Sequence, residues 1–416
     1  LTRRGRVRED GSYAVPKYIR MNSNTLIVGG GLIGLGIGWQ LAKAGVRVTV
    51  LERDVAGGSR SGASGVAAGM LAPLAEAGFD EAAQLALGRA SLEMYPEWAA
   101  ELEADSGLAI DYRSEGTLVA ALDRDDAAWL ERIHRHQQSL GLPTEWLSGA
   151  EAREREPYLT PNVTAGVFSP ADHQVDNRRM WEALRVAFER AGGSLREGAE
   201  AVRLEIDERT GRATGAWVRP AGAAEGEAER VTAARTIVCA GAWSRLLMAA
   251  SLPREAVAPI RPVKGQVVVL EMSRLLTLER VVRTRRVYLA PKSDGRLVVG
   301  ATSEERGFDV QLTAGGVFEL LRDAWEAVPG IYDLPLVETR VGLRPASRDH
   351  APLLGETAVP GLYVASGHYR NGVLLTPITA RAMAALLLGR PVPEVVRPFG
   401  AQRFQQRIQA LTGGMR

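Results

Sequence analysis

Residues 25–52, TLIVGGGLIGLGIGWQLAKAGVRVTVLE, constrain the fold more than any other part of the chain. They read as strand, tight glycine turn, helix and second strand. Residues 25–28 are an apolar run with the β-branched Ile27 and Val28, and Gly29, Gly31 and Gly34 then fall on the G-x-G-x-x-G spacing. An apolar helix follows as far as Ala44, with Gly45 as its natural C-terminal stop. Val46, Val48 and Val50 alternate as the next strand, which ends at Glu52. Each glycine has its own task. Gly29 permits the sharp turn, Gly31 lets the backbone approach a pyrophosphate, and Gly34 lets the helix sit close to the sheet. Unpaired N–H groups and the positive end of the helix dipole then face the phosphates. Glu52, 23 residues after Gly29, is placed to accept hydrogen bonds from ribose hydroxyls. A glycine cluster by itself also marks ordinary turns. Here strand, helix and acid agree, so the segment predicts dinucleotide binding and leaves open which dinucleotide.

With 416 residues, 46% of them hydrophobic, the chain is long enough for more than one domain with a real core. A net charge of +2, with no basic stripe interleaved with aromatics, gives no reason to expect nucleic acid. No uninterrupted apolar stretch reaches the length of a bilayer span, so no membrane association is expected. The single cysteine, Cys239, excludes an internal disulfide framework and suits a reducing cytoplasm. His134 and His136 lie two apart on a predicted helix and face different ways, which makes a poor metal pair, and no metal site is expected. Residues 1–20 are polar and basic, lack the apolar core of a signal peptide, and read as a disordered extension ahead of Met21.

Along the chain, helices are predicted over 81–105, 124–140, 176–191 with Asp176 as N-cap, 316–328 and 373–388. Strands are predicted over 116–122, 199–206, 236–240, 265–271, 286–291, 296–301, 338–343 and 361–366, and 219–229 reads as a surface loop. The glycine- and small-residue-rich stretch 57–73 is either a linker or a backbone able to lie flat against a cofactor, and its place after the second strand favours the cofactor. Strands alternating with helices predict an α/β fold for the outer parts, with a mixed sheet inserted between them.

Later features favour a flavin over a nicotinamide. The strand 236–240 leads into Gly241 as a second small-residue crossing, and the strand 361–366 leads to a glycine-marked helix start. A helix N-terminus there stabilises the negative charge that a reduced flavin carries at N1–C2=O. The segments VGGGLIG (28–34), AAGML (67–71), VKGQ (263–266), the Tyr288 strand, VVGAT (298–302), GLRP (342–345) and GHYRNGVLLTPIT (367–379) carry a resemblance. They resemble the flavin-dependent amine oxidase family that includes D-amino acid oxidase and sarcosine oxidase, and within it the glycine oxidases of the thiamine pathway. The resemblance implies non-covalent FAD. Besides Gly29, Gly31 and Gly34, Leu32 and Ile33 would line the pyrophosphate turn, and Glu52 and Arg53 the ribose end. Ala63, Ser64, Ala68, Gly69 and Met70 would lie along the cofactor, with Val202 near the adenine. His368, Tyr369, Arg370, Asn371, Gly372, Val373 and Leu374 would wrap the isoalloxazine. Cys239 sits inside a predicted strand and reads as a packed small hydrophobe rather than a flavin attachment point. The implied architecture is a Rossmann-like FAD-binding domain over 21–85, 155–247 and 340–416. A substrate domain of α+β character, on a mixed β-sheet, would occupy 86–154 and 248–339.

An amino-acid oxidase must hold a carboxylate, orient an amine and place the Cα–H at flavin N5. Arg344 is the first candidate, because a guanidinium offers parallel N–H bonds matched to a carboxylate. It follows an alternating strand directly; a structural salt bridge is the alternative, and the GLRP match favours substrate. Tyr288 either donates its hydroxyl to the same carboxylate or is a core aromatic of a hairpin strand. Arg370 binds substrate or neutralises reduced flavin, and His368 is equally readable as a structural histidine. Lys264 has no physical argument for catalysis. Two departures from the glycine oxidase pattern matter: Arg286 stands where a histidine is expected, and Ser303 where a methionine is expected. A hydroxyl at Ser303 would widen and wet a substrate pocket, which keeps sarcosine and small D-amino acids beside glycine.

The reaction implied is hydride transfer to flavin N5 with O2 reduced to H2O2. The imine then leaves for hydrolysis or for capture by a thiazole-synthesis partner. The alternatives are a flavin-dependent D-amino acid dehydrogenase passing electrons to a quinone and a sarcosine oxidase-like N-methyl amine oxidase. From other classes come a nicotinamide-dependent dehydrogenase and a non-catalytic dinucleotide binder. The resemblance also implies a homo-oligomer, a tetramer.

Overall fold

The computed structural model describes residues 24–55, 62–79, 81–224, 226–274 and 276–404. The extension expected over 1–20, and the part of the small-residue stretch at 57–61, lie outside them. Residues 25–52 fold as β1 (Thr25–Val28), α1 (Leu32–Lys43) and β2 (Val48–Leu51). The apolar run of β1 is buried throughout, as a strand covered on both faces requires. Leu35, Ile37, Trp39 and Leu41 are all fully buried, so α1 is apolar around most of its circumference and lies inside a layer. Gly45, at φ +79°, ends the helix in the left-handed conformation open to glycine.

β1 pairs in parallel with β2 and with Arg235–Val238 at the centre of a six-stranded sheet. The strand order is Leu353–Glu356, Leu362–Ser366, Arg235–Val238, β1, β2, Ser194–Arg196. Only Leu353–Glu356 runs antiparallel to its neighbour. On one face, α1 shares a core with the helices Ala82–Ser106, Asn177–Arg190 and Thr376–Leu387, through Trp39, Trp98, Phe188 and Met383. On the other, Leu26, Val28 and Val364 meet Leu204 and Ala216 of a three-stranded antiparallel sheet.

The second large sheet has eight strands, ordered Leu336–Ala346, Arg261–Glu271, Arg296–Gly300, Tyr288–Pro291, Val281–Arg283, Thr117–Ala121, Ala165–Ser169, Glu145–Ser148. It is mixed, because Thr117–Ala121 runs parallel to Val281–Arg283 while the other pairs are antiparallel. The helix Ala314–Ala327 seals it, with Leu320 and Ala324 in one core with Val268 and Val299.

Several expectations need correction. The helix Ala82–Ser106 lies mostly within the stretch expected to form the substrate domain, yet Leu87, Tyr95, Trp98 and Leu102 are buried in the dinucleotide-side core. Ser91 Oγ and Tyr95 Oη donate to the carbonyls of Leu374 (2.6 Å) and Val373 (2.5 Å), which ties this helix to the C-terminal motif. Helical periodicity locates an apolar face without saying which core it meets. Conversely, Ala165–Ser169 falls in the expected FAD segment but is a strand of the eight-stranded sheet. Arg344 lies within the strand Leu336–Ala346 rather than after it. The last helix begins at Thr376, and the turn before it already carries an i→i−4 bond from Leu375 N to Asn371 O at 2.8 Å. The expected loop at 219 starts later, because Arg219 and Pro220 complete the strand Arg212–Pro220.

Candidate active site

A cavity of about 540 Å³ is lined by both large sheets. At one end stand Glu52, Arg53, Glu200, Val202 and Trp243; Gly29, residues 31–33, 62–64 and 66–70 line its length; Tyr288, Arg344 and 368–373 line the other end. Every residue read as a cofactor contact lines this cavity except Gly34 and Leu374. A Cβ on Gly34 would collide with the carbonyl oxygen of Gly29, so this glycine seats α1 against the turn instead of touching a ligand. Leu374 is buried in the helical core.

The cofactor half has a donor and acceptor set that fits a dinucleotide. α1 opens on the cavity with no side-chain cap and no acid in its first turn, which leaves its N-terminal end available to an anion. Ser64 Oγ accepts from Leu32 N at 3.1 Å and holds the 62–66 segment beside that end. Gly29 adopts φ +111°, and a Cβ there would strike the carbonyl oxygen of Cys239. Glu52 accepts from Gly30 N at 2.8 Å and from Asp54 N at 3.0 Å, which orients a carboxylate at the end of β2. Burial pushes its carboxyl above the usual range, and those two backbone N–H groups oppose the shift. Arg53 lies 4.2 Å over the ring of Trp243, making a flat wall beside it.

The other half is built by strand register. Tyr288 faces Gly300 directly across its strand pair, and a side chain on Gly300 would overlap the tyrosine ring. Arg344 faces Val263, and its guanidinium lies across Gly265, whose Cβ would sit 2.6 Å from Arg344 Cζ. The glycines of VKGQ and VVGAT thus leave room for the two candidate substrate residues. Arg344 Nη1 donates to Thr302 O (3.0 Å) and Lys264 O (3.3 Å), and among the described residues its hydrogen-bond partners are carbonyl oxygens only. Burial pulls its pKa down. Burial pushes the Tyr288 hydroxyl up, against the pull of the Arg344 charge.

Arg370 is exposed at the rim, 5.3 Å over the Tyr369 ring. His368 Nε2 lies 3.1 Å from Thr379 Oγ1, and burial pulls its pKa to about 3, so it is neutral at neutral pH. Arg286 lines the cavity but is tied to Glu326 at 3.2 Å. Ser303 is exposed and outside the lining, because the strand Arg296–Gly300 has ended and the chain is turning away. The expected widening of the pocket by Ser303 therefore has no geometry behind it.

Sequence reading missed Glu76 and Arg283, which line the cavity as an ion pair across 207 residues of sequence. Only the run of arginines just ahead of Tyr288 hinted at Arg283. Trp243, just after the expected strand 236–240, carried no local signal for its place under Arg53.

A cavity with an open helix start and an ordered carboxylate on one side, and an arginine held by carbonyls on the other, suits a class: oxidoreductases that hold a dinucleotide against their substrate. Comparison with known proteins makes this specific. Residues 24–386 match the FAD dependent oxidoreductase family, and the chain belongs to that family, with FAD as its cofactor. It is 35% identical over 386 residues to the glycine oxidase of Geobacillus kaustophilus, covering 92% of this chain and 97% of that one. The crystal structure of glycine oxidase from Geobacillus kaustophilus superimposes with a TM-score of 0.82 at 33% identity, covering 92% of this chain and 99% of that one. The bifunctional protein ThiO/ThiG of Trichormus variabilis is 34% identical over 93% of this chain, which spans only 56% of that relative's length. The resemblance read from the motifs is borne out, and FAD displaces the nicotinamide reading. Among the described residues, no helix is long and apolar enough to cross a membrane.

Proposed function

We propose that the protein oxidises glycine to its imine, with O2 as electron acceptor and H2O2 as product. The observation that carries this reading is Arg344, a half-buried guanidinium that lines the cavity and whose hydrogen-bond partners among the described residues are carbonyl oxygens only. A guanidinium with no carboxylate in hydrogen-bond reach keeps an N–H edge free for one, and a substrate carboxylate supplies it. The glycine oxidase relatives support the choice of amino acid.

The open end of α1 with residues 31–33 would take the FAD pyrophosphate, Glu52 the ribose hydroxyls, and residues 368–373 the ring. FAD supplies the hydride acceptor when bound and the electrons for O2 afterwards. Arg344 binds the carboxylate through charge-assisted N–H bonds, and Tyr288 donates its hydroxyl to the same group. Together they fix the orientation of the Cα–H bond, which is the contribution of positioning to the rate. Arg370, at the rim, compensates negative charge that builds in the chamber. The amine releases its proton to water at the mouth, since Glu76 is already held by Arg283. The imine leaves for hydrolysis or for a thiazole-synthesis partner, a reading supported by the ThiO/ThiG relative. The homo-tetramer and the cytoplasmic setting rest on the family resemblance and on the single, buried Cys239.

The test is peroxide release from the FAD-loaded protein with glycine under air. Peroxide equimolar with glycine consumed is expected. Oxidation of glycine that proceeds only with an added quinone would replace the oxidase with a dehydrogenase.

A further inference from the structure

Lys264 is fully buried, yet it does not line the cavity. Side chains alternate along the strand Arg261–Glu271, so Gly265 and Val267 face the cavity while Lys264 and Gln266 face the opposite side. There both grip the segment that leaves the strand Arg296–Gly300. Lys264 Nζ donates to Asp309 Oδ2 at 2.8 Å, and Gln266 Nε2 donates to Glu304 Oε1 (2.7 Å) and Thr313 Oγ1 (3.0 Å). Thr302 Oγ1 accepts from Gln266 N (2.9 Å) and donates to Glu304 Oε1 (2.6 Å). The backbones of Lys264 and Glu304 exchange N–H···O bonds of 2.9 and 3.0 Å. The clamped segment begins at Thr302, and the carbonyls of Thr302 and Lys264 are the ones that hold Arg344 Nη1.

We infer that the Lys264–Asp309 pair is a clamp that positions Arg344, setting the direction in which its free N–H edge meets a substrate carboxylate. This rests on the reading of Arg344 as the carboxylate anchor. Lys264 touches no reacting atom; it acts through the 302–313 segment. Its ammonium has no other ion-pair partner among the described residues. Losing Asp309 leaves that ammonium buried without its ion pair, with only the more distant Glu304 charge to offset it, and the strain falls on the segment whose carbonyl aims the guanidinium. The half-exposed Asp309 belongs to no core, so its replacement tests the clamp without emptying one.

The experiment compares FAD-loaded wild type, Asp309→Asn, Asp309→Glu, Lys264→Met and Arg344→Ala. Acetate, a carboxylate without an amine, is titrated by calorimetry, and glycine turnover gives kcat and KM. With the clamp as described, Asp309→Asn weakens acetate binding and raises KM about tenfold while kcat moves less than about twofold. Lys264→Met does the same, and Asp309→Glu recovers most of the loss. Acetate affinity and KM unchanged in Asp309→Asn, or a lowered melting temperature as its only effect, would overturn the clamp. Acetate binding unchanged in Arg344→Ala would instead remove the anchor itself, a separate failure read from a separate variant.

Discussion

Arg344 is aimed by carbonyl oxygens, a task suited to a planar guanidinium and not to an ammonium, which is a point charge with rotating donors. Truncation to alanine removes charge-assisted hydrogen bonds worth about 1.5 kcal/mol or more each, so Arg344→Ala should raise KM for glycine about 100-fold. FAD content should be unchanged, because the residues proposed to hold the phosphates and ribose, 31–33 and Glu52, are distinct from Arg344 in the cavity lining. Arg344→Lys should fall between, keeping the charge and losing the fork. Steady-state kinetics with FAD quantified after denaturation decide this, and wild-type KM in either variant would take Arg344 out of the site. The residue was legible only through its GLRP setting. Its pattern alone favoured a structural salt bridge, and the carbonyl-only partners that separate the two readings are a property of the folded chain. Glu76 and Arg283 had no local signal at all, since their pairing joins segments 207 residues apart.

At the scale of elements, two glycines predict opposite losses. In the β1–α1 unit a Cβ on Gly34 meets the Gly29 carbonyl, a backbone atom that cannot swing aside. Gly34→Ala should weaken FAD binding at least about tenfold, seen as protein purified without flavin colour. On the paired strands Arg261–Glu271 and Leu336–Ala346, a Cβ on Gly265 overlaps the Arg344 guanidinium. Gly265→Ala should keep its flavin and lose affinity for glycine. The reverse pattern would contradict the division of labour between the two units. The β1–α1–β2 unit was legible because its turn, stop and acid are all local. Gly265 and Lys264 were recognisable as a motif, but their tasks depend on strand register and on period-two alternation against a distant loop, which no spacing along the chain encodes.

In the whole molecule, the cores of the two large sheets flank one cavity, and the chain crosses between them more often than the expected domain division has it. The helix Ala82–Ser106 and the strand Ala165–Ser169 each join the core opposite to the expected one, because periodicity identifies an element without identifying its partner. What the crossings achieve is one cavity lined by both large sheets, with the proposed nucleotide residues beside one and the proposed carboxylate residues on the other. The most direct measurement is anaerobic mixing of the FAD-loaded protein with glycine, sarcosine and D-alanine in parallel, followed by flavin absorbance. Glycine should bleach the flavin of the wild type with a saturating rate, and Arg344→Ala should bleach only at much higher glycine. Flavin that stays oxidised with all three amines, or an Arg344→Ala variant that saturates as the wild type does, would contradict it.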